Sequence, residues 1–180
     1  YKALKLSVGK ALHQYGMLSD GDRLAVGVSG GADSLTMMWF LKDRLARVPI
    51  RYELFAVYID PGFEEGFGDA LARCCDGMGY SLRVEHTDYG PLSHSERNRE
   101  NPCFLCSRLR RKRLFEVADE LGCRKLALGH NKDDIIETLF LNMCYAGEIS
   151  TMLPVQPFFG GDFTVIRPLA FSDEEMIRRF

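Results

Sequence analysis

The stretch of sequence that decides the fold is Ser29-Gly30-Gly31-Ala32-Asp33-Ser34, which directly follows the short apolar segment 23–28. Two adjacent glycines let the backbone turn sharply, and such a turn points several N–H groups toward one place, where an anion can bind. Asp33 and Ser34 would begin a helix whose positive end favours the same anion. The stretch therefore predicts a strand, a phosphate-binding turn and a helix in succession.

The spacing of the glycines excludes two other phosphate-binding loops. A Walker A loop requires Gly-x4-Gly-Lys-Ser/Thr, and a dinucleotide fingerprint requires Gly-x-Gly-x-x-Gly. The stretch 29–34 matches neither pattern. An ordinary strand-to-helix turn, in which a serine or aspartate caps the helix, is the alternative interpretation. The position directly after a buried strand favours the nucleotide site.

The chain as a whole alternates apolar strands with helices. Nearly unbroken apolar runs such as 54–59 are typical of strands that are buried on both faces. Further strands are expected at 80–87, 125–129 and 164–167. Strict alternation predicts an α/β fold with a five-stranded parallel sheet, helices on both faces and a site at the carboxyl ends of the strands.

The composition is that of a globular chain with one sizeable core. The 180 residues are 46% hydrophobic and carry a formal charge of −2, and no apolar run approaches the roughly 18 residues of a membrane span. We expect one domain over 1–180, a helical N-terminal extension at 1–20 and a cytoplasmic location without a membrane anchor. Ser172-Asp-Glu-Glu175 has the form of a capping box close to the last residue, which predicts a truncated C-terminus.

Two of the six cysteines have the spacing of a motif. Asn101-Pro102-Cys103-Phe104-Leu105-Cys106 has the pattern of an N-cap, a proline at the first helical position and two cysteines one turn apart. A helix N-terminus and nearby arginines favour the thiolate and hence metal ligation or sulfur chemistry. Half a zinc site, a redox pair and chance are the alternatives. The other four are expected to be buried apolar residues: Cys74, Cys75, Cys123 and Cys144.

Positive charge is concentrated in the segment after these cysteines. Arg108-Leu-Arg110-Arg111-Lys-Arg113 lies on the same predicted helix, and Arg110 shares a helical stripe with Cys103. Because this helix begins at the carboxyl ends of the strands, its first turns should face the same cleft as the phosphate-binding turn. Such a local patch can hold RNA, whereas a solvated helix face is the alternative.

A second acidic helix start follows the predicted strand 125–129. Gly129-His130-Asn131-Lys132-Asp133-Asp134 opens an amphipathic helix whose apolar stripe predicts that Asp133 faces the cleft and Asp134 points away. A carboxylate in the cleft could hold Mg²⁺ against the phosphates of a nucleotide. Alternatively, both aspartates merely favour the helix dipole.

In their order and spacing, these motifs resemble the tRNA 2-thiocytidine synthetase family of the PP-loop ATP pyrophosphatase superfamily. The resemblance rests on 29–34, on Pro-Cys-x-x-Cys-Ser-Arg-Leu-Arg-Arg (102–111), on Gly-His-x-x-Asp-Asp-Ile (129–135), on Ile-Arg-Pro-Leu-Ala (166–170) and on Asp60-Pro-Gly-Phe63. It implies a Rossmann-like, adenine nucleotide alpha hydrolase-like fold. It also implies cleavage of ATP between the α- and β-phosphates, adenylation of the C2 oxygen of an anticodon-loop cytidine, and replacement of that oxygen by sulfur.

The resemblance also implies roles for individual residues. The residues that would hold ATP are Ser29, Gly30, Gly31, Asp33, Ser34, Asp60 and Gly129. Asp33, Asp133 and Asp134 would serve catalysis or bind Mg²⁺. Arg110 and Arg111 would contact the RNA. Cys103 and Cys106 would be two ligands of a 4Fe-4S cluster whose third cysteine is not present in this chain. The implied partners are a tRNA anticodon stem-loop, a cysteine-desulfurase-type sulfur donor and, in a homodimer, a second copy of the chain. Ala32 stands where the family usually has lysine.

Two other functions fit part of the same pattern. A PP-loop adenylating ligase such as lysidine synthetase would also adenylate a tRNA cytidine, but it has no need for Cys103 and Cys106. A non-catalytic adenine-nucleotide-binding module would bind ATP without forming AMP and pyrophosphate.

Overall fold

In the computed structural model, which describes residues 1–63, 66–96 and 98–180, helices and strands alternate along the chain. The helices are α1 (Lys2–Gln14), α2 (Ala32–Leu45), α3 (Gly68–Gly77), α4 (Tyr89–Ser93), α5 (Pro102–Glu120), α6 (Lys132–Leu141) and α7 (Glu174–Arg178). The strands are β1 (Asp22–Gly27), β2 (Tyr52–Asp60), β3 (Leu82–His86), β4 (Lys125–Ala127), β5 (Val155–Phe158) and β6 (Phe163–Ile166). A π-helical turn (Asn142–Ala146) continues α6, and a 3-10 turn (Phe159–Gly161) joins β5 to β6.

The six strands form one sheet in the order β3-β2-β1-β4-β6-β5. Five of them pair in parallel, which confirms the predicted α/β layout. The sixth, β5, is an antiparallel edge strand that the pattern did not predict. It has only four residues and contains Pro157, a residue that argues against a strand except at an edge. The five-stranded, wholly parallel sheet expected from the sequence is therefore wrong by one strand.

Helices cover both faces of the sheet. The larger core packs α1, α2, α3 and α7 against one face, where Leu24 and Val26 of β1 point. The smaller clusters pack α5 against the other face of the sheet. Ala25, which lies between Leu24 and Val26 in β1, points to this second face. Because successive side chains of a strand point to opposite faces, one buried strand supplies both cores. This explains the unbroken apolar runs in the sequence.

The order of the strands places a crevice beside β1. The chain continues from β1 to β2 on one side and later returns to β4 on the other side. Val26 of β1 lies opposite Ala127 of β4, so the segments that follow these two strands emerge side by side. In open α/β sheets a ligand binds at such a reversal of strand order, outside the carboxyl ends of the strands.

The two ends of the chain both pack on the larger core. The N-terminal helix α1 buries Leu4, Val8 and Leu12 there, and α7 contributes Ile177. The predicted capping box at 172–175 is wrong by one residue. Asp173, and not Ser172, caps α7, since its carboxylate accepts a hydrogen bond from the N–H of Met176 at 2.9 Å.

The single cysteines divide between core and surface. Cys75 and Cys123 are buried as predicted, and burial raises the pKa of the Cys123 thiol to about 11. Cys74 and Cys144 are exposed, so the prediction was wrong for them. Cys74 lies one residue from buried Cys75 on α3 and therefore points outward, and Cys144 lies in the π-helical turn, which buries no residue. Within the described residues, no helix combines the length and hydropathy that a membrane crossing requires.

Candidate active site

A cavity of about 370 Å³ opens at the carboxyl ends of β1, β2 and β4. Apolar residues at the strand ends, including Val28 and Leu128, form part of its wall, and polar residues come from the phosphate-binding turn, α5 and the start of α6. The residues predicted from the sequence that line it are Ser29, Asp33, Ser34, Arg110, Arg111, Gly129 and Asp134. The fold therefore brings together side chains that are up to about a hundred positions apart in the sequence.

Hydrogen bonds close the phosphate-binding turn between β1 and α2. The Ser34 hydroxyl accepts from the N–H of Ser29 at 3.1 Å and donates to the carbonyl of Gly31 at 3.0 Å. Gly30 has a φ of 82°, in the left-handed region that favours glycine, and a side chain there would also collide with the ring of Phe67. The backbone of the turn is thus fixed before any ligand binds.

The first turn of α2 has no side-chain cap. The N-cap residue is Gly31, α2 begins at Ala32, and no side chain among the described residues accepts from its first amides as a cap. The alternative interpretation, in which a serine or aspartate caps this helix, is therefore wrong. Uncapped N–H groups at the positive end of a helix are an anion site. The geometry suits the phosphates of a nucleotide.

Gly129 lets the end of β4 approach the start of α2. A Cβ on Gly129 would lie 3.0 Å from the amide nitrogen of Ser34 and 3.1 Å from its Cα. Both neighbours are backbone atoms, so a larger residue would push the two helix starts apart. Gly129 also lines the cavity, and a direct contact with a nucleotide stays a prediction.

Asn131 joins the starts of α2 and α6, and it was not among the predicted site residues. Its side-chain oxygen accepts from the N–H groups of Asp133 (2.8 Å) and Asp134 (3.1 Å), and its side-chain nitrogen donates to Asp33 Oδ1 (3.1 Å). The carboxylate of Asp134 accepts from the Asn131 N–H at 2.8 Å, which completes a capping box. The signal in the sequence is an asparagine followed three residues later by an acid. This network fixes the position of two carboxylates at the cavity.

The predicted orientations of Asp133 and Asp134 were wrong. Asp134 lines the cavity, whereas Asp133 turns toward α7 and accepts from the N–H of Glu174 at 2.7 Å. The prediction assumed that the apolar stripe of α6 faces the core, but α6 buries no residue, and Ile136 and Phe140 are 43% and 59% exposed. Because the apolar stripe of α6 lies outside the core, the directions predicted for Asp133 and Asp134 were reversed.

The run of positive charge on α5 divides into two groups. Arg110 and Arg111 line the cavity, and Arg110 Nε donates to the carbonyl of Ile59 at 3.3 Å. Arg113 instead pairs with Glu85 at 2.7 Å and with Glu120 at 2.8 Å, and these hydrogen bonds raise the pKa of Arg113. Only the first group can contact a ligand in the cavity.

Behind the cavity wall lies a buried guanidinium from the motif 166–170, for which no role was predicted from the sequence. Arg167 is 5% exposed, and its Nε donates to His130 Nδ1 at 3.3 Å. Burial, followed by the nearby charge of Arg111, lowers the pKa of Arg167 to about 10, so it stays charged at neutral pH. Burial, followed by the charge of Arg167, also lowers the pKa of His130. The imidazole at the cavity is therefore neutral at neutral pH.

Asp60 lies outside this cavity, and its predicted contact with ATP stays a prediction. It lines a separate pocket of about 230 Å³ with His86, and its Oδ2 is 3.7 Å from His86 Nδ1. Its Oδ1 accepts from the N–H of Gly62 at 2.9 Å. The predicted motif 60–63 directly follows β2, and within it the Asp60 carboxylate is bound to the backbone two residues later.

The cysteine pair lies at the start of α5, beside the cavity but not in its wall. Asn101 caps the helix by accepting from the N–H groups of Cys103 (3.0 Å) and Phe104 (3.2 Å), as predicted. Cys103 is exposed and Cys106 is partly exposed, and the first α5 residue in the cavity wall is Ser107. No three His, Cys, Asp or Glu side chains within 1–63, 66–96 and 98–180 are arranged to hold a metal ion. The pair can supply two thiolate ligands and no more.

Comparison of the sequence with known proteins identifies similar enzymes. Residues 3–180 match a family model described as a PP-loop domain. The tRNA-cytidine(32) 2-sulfurtransferase of Geotalea daltonii is 42% identical over 181 residues, which cover 100% of this chain and 72% of that protein. The enzyme of the same name from Pectobacterium carotovorum subsp. carotovorum is 42% identical over 99% of this chain and 58% of its own length.

Two solved structures share the fold. The U34-tRNA thiolase NcsA from Methanococcus maripaludis, solved with its [4Fe-4S] cluster, superposes with a TM-score of 0.79 at 29% identity, over 99% of this chain and 61% of that one. The NH3-dependent NAD synthetase from Campylobacter jejuni has a TM-score of 0.61 at 16% identity, over 99% of this chain and 70% of that one, and shows the fold alone. The chain belongs to the PP-loop superfamily and, within it, to the tRNA-cytidine(32) 2-sulfurtransferase family.

Proposed function

We propose that this chain is the ATP-using domain of a tRNA thiolase that adenylates the C2 oxygen of an anticodon-loop cytidine and replaces that oxygen with sulfur. The observation that carries the proposal is the uncapped start of α2 at one wall of a cavity that also contains two carboxylates and two arginines. The similar enzymes from Geotalea and Pectobacterium carry the name of this reaction.

The phosphate-binding turn would hold the phosphates of ATP. Its amides and the first turn of α2 lie at one wall of the cavity, and Arg110 and Arg111 come from α5. Anions bind at such a helix start without a lysine. This matters because Ala32 offers no positive charge there. The two arginines would then supply the cationic contacts to the phosphates or to the RNA.

Asp33 and Asp134 would together hold a magnesium ion. Each places one carboxylate oxygen on Asn131, and within the described residues neither second oxygen has a hydrogen-bond partner. Mg²⁺ prefers one or two carboxylates together with phosphate oxygens and waters, and when bound it neutralises charge on the departing pyrophosphate. Asp133 is engaged with α7 and is not part of this pair.

The reaction would proceed in two displacements. The C2 oxygen of the cytidine attacks the α-phosphorus of ATP, a P–O bond to pyrophosphate breaks, and the adenylated base remains. A sulfur nucleophile then attacks C2, and the C–O bond breaks, so that AMP departs with the original oxygen. The cavity would serve the first displacement by holding the phosphates in line, and Arg110 and Arg111 in its wall would stabilise the negative charge that develops.

Cys103 and Cys106 are proposed as the sulfur-handling end of the site. They precede Ser107 on the same helix, so they are within about two turns of the cavity wall. They would contribute two ligands of a 4Fe-4S cluster, which when bound would carry sulfide on an open iron. The described residues supply no complete ligand set for such a cluster. A cysteine-desulfurase-type donor would provide the sulfur.

The test is a turnover assay that contains ATP, Mg²⁺, a sulfide source and tRNA without 2-thiocytidine. Pyrophosphate release and mass spectrometry of the tRNA nucleosides are measured. We expect both pyrophosphate and 2-thiocytidine. Asp134→Asn should reduce pyrophosphate release at least tenfold, whereas the adjacent Asp133→Asn, outside the cavity, is the matched control and should retain it.

Different products in this assay would identify the alternative functions, a ligase or a nucleotide-binding module. Pyrophosphate with lysine joined to the cytidine would identify a ligase and refute the thiolase. ATP binding without AMP or pyrophosphate would identify a nucleotide-binding module. Cys103→Ser and Cys106→Ser should abolish thiolation but leave ATP binding unchanged, since neither side chain lines the cavity.

A further inference from the structure

Arg167 is a buried cation without an acidic partner among the described residues. Its Nη2 donates to Gln156 Oε1 at 3.1 Å, its Nη1 donates to the carbonyl of Leu153, and its Nε donates to His130 Nδ1 at 3.3 Å. Buried charges in proteins are usually paired with an opposite charge. Here the guanidinium meets only neutral acceptors, and one of them lines the cavity.

The hydrogen bond to His130 fixes which imidazole nitrogen carries the proton. An arginine nitrogen can only donate, so His130 Nδ1 must accept and must be unprotonated. The neutral ring then carries its proton on Nε2. The contacts of Arg167 with Gln156 and Leu153 hold the guanidinium in place, so the donor cannot turn away from the ring.

The charges around His130 come from three helices and from the segment after β6. Arg167, after β6, and Arg111, on α5, disfavour the imidazolium, whereas Asp134 on α6 and Asp33 on α2 favour it. Burial opposes the charged form more strongly than any of these charges, so the pKa lies below its ordinary value. The electrostatic environment and the hydrogen bond thus favour the same neutral form.

We propose that Arg167 is a positioning residue that holds His130 as the neutral Nε2–H tautomer, so that His130 donates a hydrogen bond to a phosphate oxygen of the bound nucleotide and does not act as a general base. The identity of the acceptor rests on the proposed function, but the tautomer does not. In this arrangement His130 adds a donor to the cavity that remains the same across the pH range of the reaction.

The tautomer is tested on the protein without substrate. The chain is labelled with ¹⁵N in its four histidines, and His130 is assigned with the His130→Asn variant. Long-range ¹H–¹⁵N spectra should show Nδ1 unprotonated and Nε2 protonated, with the neutral form persisting below pH 6.5, the ordinary histidine pKa of about 6.5. An Nδ1–H tautomer, or protonation of His130 at pH 6.5 or above, would overturn the proposal. The wild-type spectrum decides this even if a variant fails to fold.

Variants then separate positioning from structural support. Arg167→Gln should abolish the fixed tautomer and give pyrophosphate release a new acidic limb in its pH profile, whereas Arg167→Lys should keep the neutral form. Arg73→Gln removes an exposed charge on α3 and is the matched control, so it should leave the His130 spectrum unchanged. A fixed tautomer in folded Arg167→Gln would refute the role of Arg167. If the tautomer is correct but no pyrophosphate forms, the proposed function fails and the inference about Arg167 stands.

Discussion

Asn131→Ala should destabilise the chain much more than an ordinary loss of a helix cap. The Asn131 side chain caps α6 through two backbone N–H groups and donates to Asp33 at 3.1 Å, and Asn131 is 4% exposed. Losing a cap costs about 1 kcal/mol. Losing a hydrogen bond to a charged group costs about 1.5–3 kcal/mol more. The expected total is about 2.5–4 kcal/mol.

Asn101→Ala is the matched control. Asn101 caps α5 with the same two kinds of hydrogen bond, but it is exposed and has no third partner among the described residues. Its loss should cost only about 1 kcal/mol. For a chain of 180 residues, 1 kcal/mol corresponds to about 2–4 °C in Tm. We therefore expect a decrease of about 2–4 °C for Asn101→Ala and about 5–15 °C for Asn131→Ala.

The assay is urea denaturation with calorimetry on both variants at neutral pH. Equal losses of stability would refute the reasoning, because the contact with Asp33 and the burial of Asn131 are what distinguish the two caps. If the urea m-value changes, the extrapolated free energies are not comparable between the variants, and the calorimetric Tm values decide. Asn131→Asp is a further arm. It keeps the cap but places a second carboxylate beside Asp33, so it should lose more stability at pH 7 than at pH 4.

Three further predictions follow from burial and close approach. Gly129→Ala would place a methyl group 3.0 Å from the backbone of Ser34, and it should weaken ATP binding about tenfold, or about 1.4 kcal/mol, in calorimetric titration. Gly77→Ala is the control, because a methyl group there meets nothing within 4 Å, and it should leave the affinity unchanged. Equal affinities of the two variants would contradict the close approach at Gly129. In native protein, a thiol reagent should modify the four exposed or partly exposed cysteines and should reach Cys75 and Cys123 only after unfolding, as read by mass spectrometry; modification of either in the native state would contradict their burial. The pKa of His130 is lowered in the native state, so as the pH falls below about 6.5 the unfolded chain takes up the proton before the native chain does. The free energy of unfolding should therefore decrease as the pH falls from about 6.5 to the lower pKa of the native state. His130→Asn should flatten this part of the pH dependence of the urea midpoint, and an unchanged slope would contradict the shift.

The sequence by itself determined the class of fold and the local structure of each motif. Apolar runs predicted the central strands because a strand buried on both faces must be apolar throughout, whereas alternation predicted the segment 80–87, which forms β3 at one edge of the sheet. The adjacent glycines at 30 and 31 predicted the turn, since its geometry depends on backbone conformation and not on distant contacts. The cap at Asn101 was predictable for the same reason, because its partners are two and three residues away.

Only the tertiary structure decided which carboxylate of α6 lines the cavity and which buried side chains support the cavity wall. The helical projection of α6 was reversed because it assumed a buried stripe, and burial depends on what packs against a helix, which a local pattern does not contain. Asn131 and Arg167 are held by contacts with residues 11 to 98 positions away, and Asp134 lines the cavity although its hydrogen bond to Asn131 is local. Six residues were thus enough to predict the turn, and the start of α5 at the strand ends was enough to predict that Arg110 and Arg111 lie near it. The orientation of Asp134 and the contacts of Asn131 and Arg167 depend on how the helices pack on the sheet.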